Sequence, residues 1–231
     1  MIQRFPFEQF PALNATSVCR HVFTRRIPGI DVSHEKAEAL RRLDAAHLEI
    51  RREIGIADWP LLTAEQIHGD KIAIACRAVA SRRRVDLAPI SDKEFAGCDG
   101  FITNQREVAL GIHVADCCAV YIVDPITPAI GLVHSGKKGT ALGITGKAIR
   151  QMKEAFGSNP ANMIVQLSPC IRPPHYEIDF AADIVEQSRA QGVKQIHDSG
   201  VCTACHLDLY YSYRAEKGKT GRMLALLGLS L

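Results

Sequence analysis

The sequence predicts a mixed α/β fold, a mixed sheet with flanking helices, in a single domain spanning residues 1–231. Three observations predict it. Short apolar runs at 118–123, 129–133 and 163–167 are rich in Val and Ile, lie among Pro and Gly, and read as buried strands. Longer stretches carry apolar residues at helical spacing. The two kinds of segment alternate with no internal repeat and no low-complexity linker, so nothing divides the chain.

Taken in order, residues 18–24 (VCRHVFT) read as a first strand. Ser33 then caps a helix that runs to about Ile54 and stops at Gly55, with Leu40, Leu43, Ile50 and Ile54 on one face. His47 shares that face, either as a core histidine with a hydrogen-bond partner or as a side chain reaching a site. Residues 61–67 lead into the His68-Gly69 turn, and 71–75 resume as a strand. The stretch 77–95 is polar, basic and irregular, and reads as a loop. A turn at 97–100 precedes a strand at 101–103, and 108–114 alternates toward the central runs. A helix follows at 141–156, closed by Gly157 and Pro160, then the strand 163–167 and a proline-rich loop at 168–174. Residues 176–178 read as a short strand and 180–191 as a helix closed by Gly192. A Cys202-x-x-Cys205 pair and a tail with Ser212-Tyr213-Arg214 and Gly221-Arg222 complete the chain.

Composition excludes several classes. A net charge of +3 over 231 residues is too small for a nucleic-acid or anionic-membrane partner. No apolar run approaches the roughly 20 residues that span a bilayer. The N-terminus MIQRFPFEQFPAL lacks the regions of a signal peptide, so a cytoplasmic protein is expected, as a monomer or small homo-oligomer. Eight cysteines scattered over this length do not form a disulfide framework; reduced thiols are the default, and some can be ligands.

Among nine histidines and eight cysteines, His68, Cys117 and His134 each sit at the end of a strand-like run beside small residues. Gly69 and Gly136 allow close approach there. Two imidazoles and a thiolate suit Zn²⁺, and three protein ligands leave a fourth position for water. The alternative is three buried, inert side chains. Asp116 is placed to orient a ligand or take a proton. Cys118 follows Cys117 and so points to the opposite strand face. Cys202-x-x-Cys205 lacks a second pair for a structural zinc, with only His206 nearby, and reads as a turn with partly buried thiols. Lys137 and Lys138 can bind an anion or form a solvated turn; Arg214 can hold a substrate oxygen or pack along the surface.

Six segments in order then carry a resemblance: Gln66-x-His68-Gly69, Cys98-Asp99-Gly100-x-x-Thr103, Ala115-Asp116-Cys117, His134-Ser135-Gly136-x-x-Gly139-Thr140, Pro169-Cys170-Ile171 and Ser212-Tyr213-Arg214. Together, from about residue 15 to 222, the chain resembles the YfiH/YlmD family, the laccase-domain or polyphenol-oxidoreductase family that includes FAMIN. The resemblance implies a zinc ion held by His68, Cys117 and His134. It also implies phosphorolysis of adenosine, inosine, guanosine or methylthioadenosine, and deamination of adenosine, with catalysis by the trio and Asp116. Gln66, His47, Lys138 and Arg214 are the expected substrate contacts, and a purine nucleoside and phosphate the expected partners.

Three departures fall at the pocket. Family members commonly carry HAGWRG where this chain reads His134-Ser135-Gly136-Lys137-Lys138-Gly139, an Asn-Arg pair where it reads Ala46-His47, and paired arginines where it reads Arg214-Ala215. The alternatives are a peptidoglycan-editing zinc amidase, a copper-dependent polyphenol oxidase, and a non-enzymatic metal-binding protein. Copper is disfavoured because the histidines form no H-x-H pairs for a multicopper cluster.

Overall fold

A computed structural model describes residues 6–75 and 95–230. The expected loop at 77–95, apart from Phe95, and its run Arg82-Arg83-Arg84 lie outside the described residues. In chain order the elements are β1 (Phe7–Glu8), α1 (Pro11–Asn14), β2 (Cys19–Thr24), α2 (Lys36–Glu53), β3 (Leu61–Thr63), β4 (Lys71–Ile74), β5 (Cys98–Thr103), β6 (Ala109–Val114), β7 (Cys118–Asp124) and β8 (Ala129–Ser135). Then follow α3 (Lys137–Ala141), α4 (Ile144–Phe156), β9 (Ile164–Leu167), α5 (Phe180–Ala190), β10 (Gln195–Asp198) and β11 (Met223–Leu229).

The expected mixed α/β class with flanking helices holds, and its strands form two mixed sheets. One has the order β1-β2-β11-β6-β3, the other β10-β9-β7-β8-β5-β4. The central hairpin β7–β8 shows why both faces of the second sheet are apolar. Ala119, Tyr121 and Val123 join the core that holds the first sheet, while Cys118, Val120 and Ile122 face α4 and α5 through Ile144, Ala148, Ile149 and Ile184. Period-two alternation sorts one apolar run between two cores. Each Val or Ile among them contributes about 1.5–3 kcal/mol by leaving water. Tyr121 also donates its hydroxyl to the Val22 carbonyl at 2.8 Å, joining the sheets inside the core.

The helices differ from expectation at their starts. The first begins at Lys36 with Glu35 at its N-cap and no side-chain cap; Ser33 lies outside it, its own N–H bonded to Asp31. Ala39, Leu43, Ala46 and Ile50 bury its inner face. The helix expected over 141–156 begins at Ile144, set off from the short α3 by Gly143, which takes φ +77°, a conformation open to glycine without a Cβ penalty.

Two corrections concern strands. Residues 176–178 form no strand; Tyr176 instead packs edge-on against Phe180 at 5.9 Å. The tail ends in β11, paired on both edges with β2 and β6.

Candidate metal centre

The chain crosses between the sheets twice at one place. Residues 64–70 connect β3 of the first sheet to β4 of the second, and 115–117 connect β6 to β7. His68 comes from the first crossing, Cys117 from the second and His134 from β8 beside it. Their donor atoms all lie within 4.8 Å of one another, and the two imidazole rings meet edge to face at 4.8 Å. The structure therefore brings the expected trio together.

The crossings are tightly held. Gln66, His68 and Asp116 adopt positive φ of 63°, 62° and 83°, sparsely populated for non-glycine residues and kept only where surrounding contacts over-determine them. Asp99 supplies several of those contacts. Its carboxylate accepts the His68 and Gly69 amides at 2.9 and 2.7 Å and meets His134 Nδ1 at 2.8 Å. That last contact turns the other ring nitrogen of His134 toward the thiol, the arrangement that fixes a metal-ligating imidazole. Asp99 is fully buried, and although burial opposes its charge, His134 and the Gly69 amide hold its carboxyl below the ordinary value.

Cys117 and His134 shift each other. Burial disfavours the thiolate, but His134 and His68 overcome it and bring the Cys117 pKa from 9.0 down to about 6. Burial disfavours the imidazolium, but Cys117 and the Asp99 bond raise His134 from 6.5 to about 9. Without a metal the pair is thus thiolate and imidazolium at neutral pH. Gly136 leaves the space for this: a Cβ there would stand 2.5 Å from Cys117 Sγ. The soft, anionic sulfur, two nitrogens, an orienting carboxylate and a glycine-lined cradle fit a borderline-soft divalent cation.

The other expected site residues divide. Both ends of the Gln66 amide bond the backbone of His113, at 2.6 and 2.9 Å, so it latches the first crossing to β6. The Asp116 carboxylate accepts Thr203 Oγ1 and the Arg214 amide, both at 2.7 Å, and so secures the C-terminal segment. The carboxylate that touches a trio histidine is Asp99, which sequence reasoning quoted inside a motif and assigned no role. His47 is buried with Nε2 unpartnered, its ring 6.0 Å from that of His113. Lys138 is exposed on α3. Arg214 is exposed, stacked over Tyr176 at 4.9 Å and paired with Glu177 at 2.9 Å, which Lys137 also approaches.

Sequence reasoning also passed over a cationic flank. Arg222, just before β11, lies within electrostatic reach of Asp116 and Cys117, and its guanidinium stands 5.6 Å from the Tyr213 ring. Lys36, the first residue of α2, feels Arg222 and Asp99, and its pKa is pushed down by desolvation and then by Arg222. Burial, then His47, Lys36 and Arg222, lower His113 to about 3; burial lowers His47 to about 4. Both imidazoles are neutral at physiological pH. A lysine opening a helix and an arginine in the tail carry no local pattern that would have revealed them.

The family model described as "Multi-copper polyphenol oxidoreductase laccase" matches residues 20–187 and 178–230. The chain belongs to this family. The chain is also similar to a purine nucleoside phosphorylase YlmD from Geobacillus stearothermophilus, 30% identical over 211 residues, 75% of this chain and 76% of that protein. One from Bacillus subtilis, of the same name, is 28% identical over 197 residues, 72% and 69% of the two chains. The crystal structure of YlmD from Geobacillus stearothermophilus superposes with a TM-score of 0.79 at 21% identity, covering 99% of this chain and 100% of that one. The hypothetical protein YfiH of Bacillus licheniformis gives 0.78 at 21% identity, covering 100% and 98%. The mixed α/β architecture is therefore that of the YfiH and YlmD structures. Among the described residues, two groups of three donors could ligate a metal, His68 with Cys117 and His134, and His175 with Cys202 and Cys205.

Proposed function

We propose that the chain is a purine nucleoside phosphorylase and that it also deaminates adenosine with a zinc ion at the trio. The observation that carries this reading is one site combining an N,N,S donor set, His68, His134 and Cys117, with the cationic flank of Lys36 and Arg222. The names of the YlmD relatives support the nucleoside class. Zinc suits the donor types, and when bound it supplies a Lewis acid able to activate water.

The chain's own residues divide the remaining work. Lys36, exposed at the start of α2, and Arg222, buried just before β11, hold phosphate through charge-assisted hydrogen bonds. In phosphorolysis a phosphate oxygen bonds to the ribose anomeric carbon as the bond to the purine nitrogen breaks, so the anion must be fixed against the sugar. Neutral His47 and His113 each offer one N–H and one lone pair to sugar hydroxyls or ring nitrogens. Ile67 and Tyr213, exposed beside the trio and Arg222 respectively, offer apolar faces to the base. Lys138 and Arg214 serve from the rim. The free thiols among the described residues suit a reducing, cytoplasmic setting.

Incubation with adenosine and phosphate tests the reading. Adenine and ribose 1-phosphate are expected only with phosphate, and inosine only from metal-loaded protein, with loss on chelation. Fully loaded protein that forms neither product removes the proposal.

A further inference from the structure

A second cluster of soft donors lies outside the trio. His175, from the loop after β9, meets Cys202, which precedes the turn at Thr203–Cys205, and Cys205, which ends it. The three donor atoms lie within 4.8 Å of one another. His175 Nδ1 stands 3.9 Å from Cys202 Sγ and 3.4 Å from Cys205 Sγ. A tetrahedral zinc with Zn–S of about 2.3 Å and Zn–N of about 2.0–2.1 Å separates sulfur from nitrogen by about 3.5 Å, so both distances lie near the required spacing. His206, the neighbour in sequence, lies outside the cluster.

The backbone presents these donors before any ion arrives. Cys202 bridges to Cys170, with the Cys170 amide on the Val201 carbonyl and the Thr203 amide on the Cys170 carbonyl, both at 3.2 Å. The Cys205 amide closes onto the Cys202 carbonyl at 3.2 Å, and the His175 amide onto the Arg172 carbonyl at 2.9 Å. The nearby Arg172 is neutralised by its ion pair with Asp198. Cys202 is buried, whereas Cys205 and His175 are exposed, so an ion can reach the donors from solvent.

We infer that His175, Cys202 and Cys205 form a second site for a thiophilic divalent cation such as zinc, clamping the loop after β9 to the turn behind the first centre. Thr203, inside that turn, donates to Asp116 at 2.7 Å, and Asp116 precedes Cys117. Filling the clamp therefore stiffens the support of the first site without sharing a ligand with it. The inference does not depend on the proposed activity.

Metal counting with zinc alone tests it. The reduced, full-length chain is stripped, reloaded with excess Zn²⁺, desalted and analysed by mass spectrometry. Two ions per chain are expected, one per cluster; Cys205→Ser and His175→Ala should each lose one, His134→Ala should lose the other, and the double variant Cys205→Ser/His134→Ala should hold none. Since Cys205 and His175 are exposed, circular dichroism of the stripped variants should match the parent. In Cys117→Ser, Co²⁺ should still give a thiolate-to-cobalt absorption band, and adding Cys205→Ser should abolish it. A count unchanged in both Cys205→Ser and His175→Ala overturns the site.

Discussion

At the residue scale, the two aspartates beside the trio have different duties. Asp99 faces His134 and the His68 turn, whereas both oxygens of Asp116 face the C-terminal segment. Asp99→Asn removes the charge that holds His134 as a ligand, and zinc affinity should fall by about 10–100-fold. Competition against a chromophoric chelator measures it, and an unchanged affinity would dismiss the role. A pH effect follows from the paired shifts. Cys117 is lowered to about 6 and His134 raised to about 9, so between those values the metal-free site is thiolate plus imidazolium. An incoming ion displaces the imidazolium proton, and affinity should rise with pH until about 9. Below about 6 the thiol proton must leave as well. Calorimetry in buffers of different ionisation enthalpy should find one proton released per ion at the first site near pH 7.5; no release there would contradict the assigned charge states.

At the element scale, the site depends on the junction of β8 with α3 and on two crossings between sheets. A Cβ on Gly136 would press on Cys117 Sγ at 2.5 Å while the strand ladder of β8 stays paired. Gly136→Ala should therefore abolish metal uptake at the first site and shift the thermal midpoint by only a few degrees, roughly the effect of 1 kcal/mol in a domain of this size. Atomic absorption together with a melting curve reads both. A variant that keeps its first-site metal would show that the cradle adjusts. The strands β7, β8 and β9 are legible in the sequence because apolar runs buried on both faces need no partner to be recognised. β11 passed unread although it lies inside its sheet. Its run Met-Leu-Ala-Leu-Leu-Gly-Leu lacks β-branched residues, and its pairing to β2 and β6 joins segments far apart in the chain.

For the whole molecule, the two sheets share one core, with Tyr121 of the second bonded to Val22 of the first. The β3–β4 and β6–β7 crossings carry site residues, so folding the core and assembling the site are coupled. Trp59 stacks against Gly228 of β11 and reports on the first sheet, whereas far-ultraviolet circular dichroism also reports on α4 and α5. Urea unfolding followed both ways should give coincident transitions. Separate midpoints would mean that the sheets unfold as independent units.

The sequence by itself determined the fold class, most of the element positions, the family resemblance and the His68, Cys117 and His134 trio. Those are carried by local periodicity and by motifs whose residues lie close in the chain. Only the tertiary structure decided that the strands divide into two sheets, that Asp99 orients His134, that Lys36 and Arg222 flank the trio, and that His175 completes a cluster with Cys202 and Cys205. Each of these rests on contacts between segments distant in sequence, and the closure of the sheets, which no local pattern encodes, sets them.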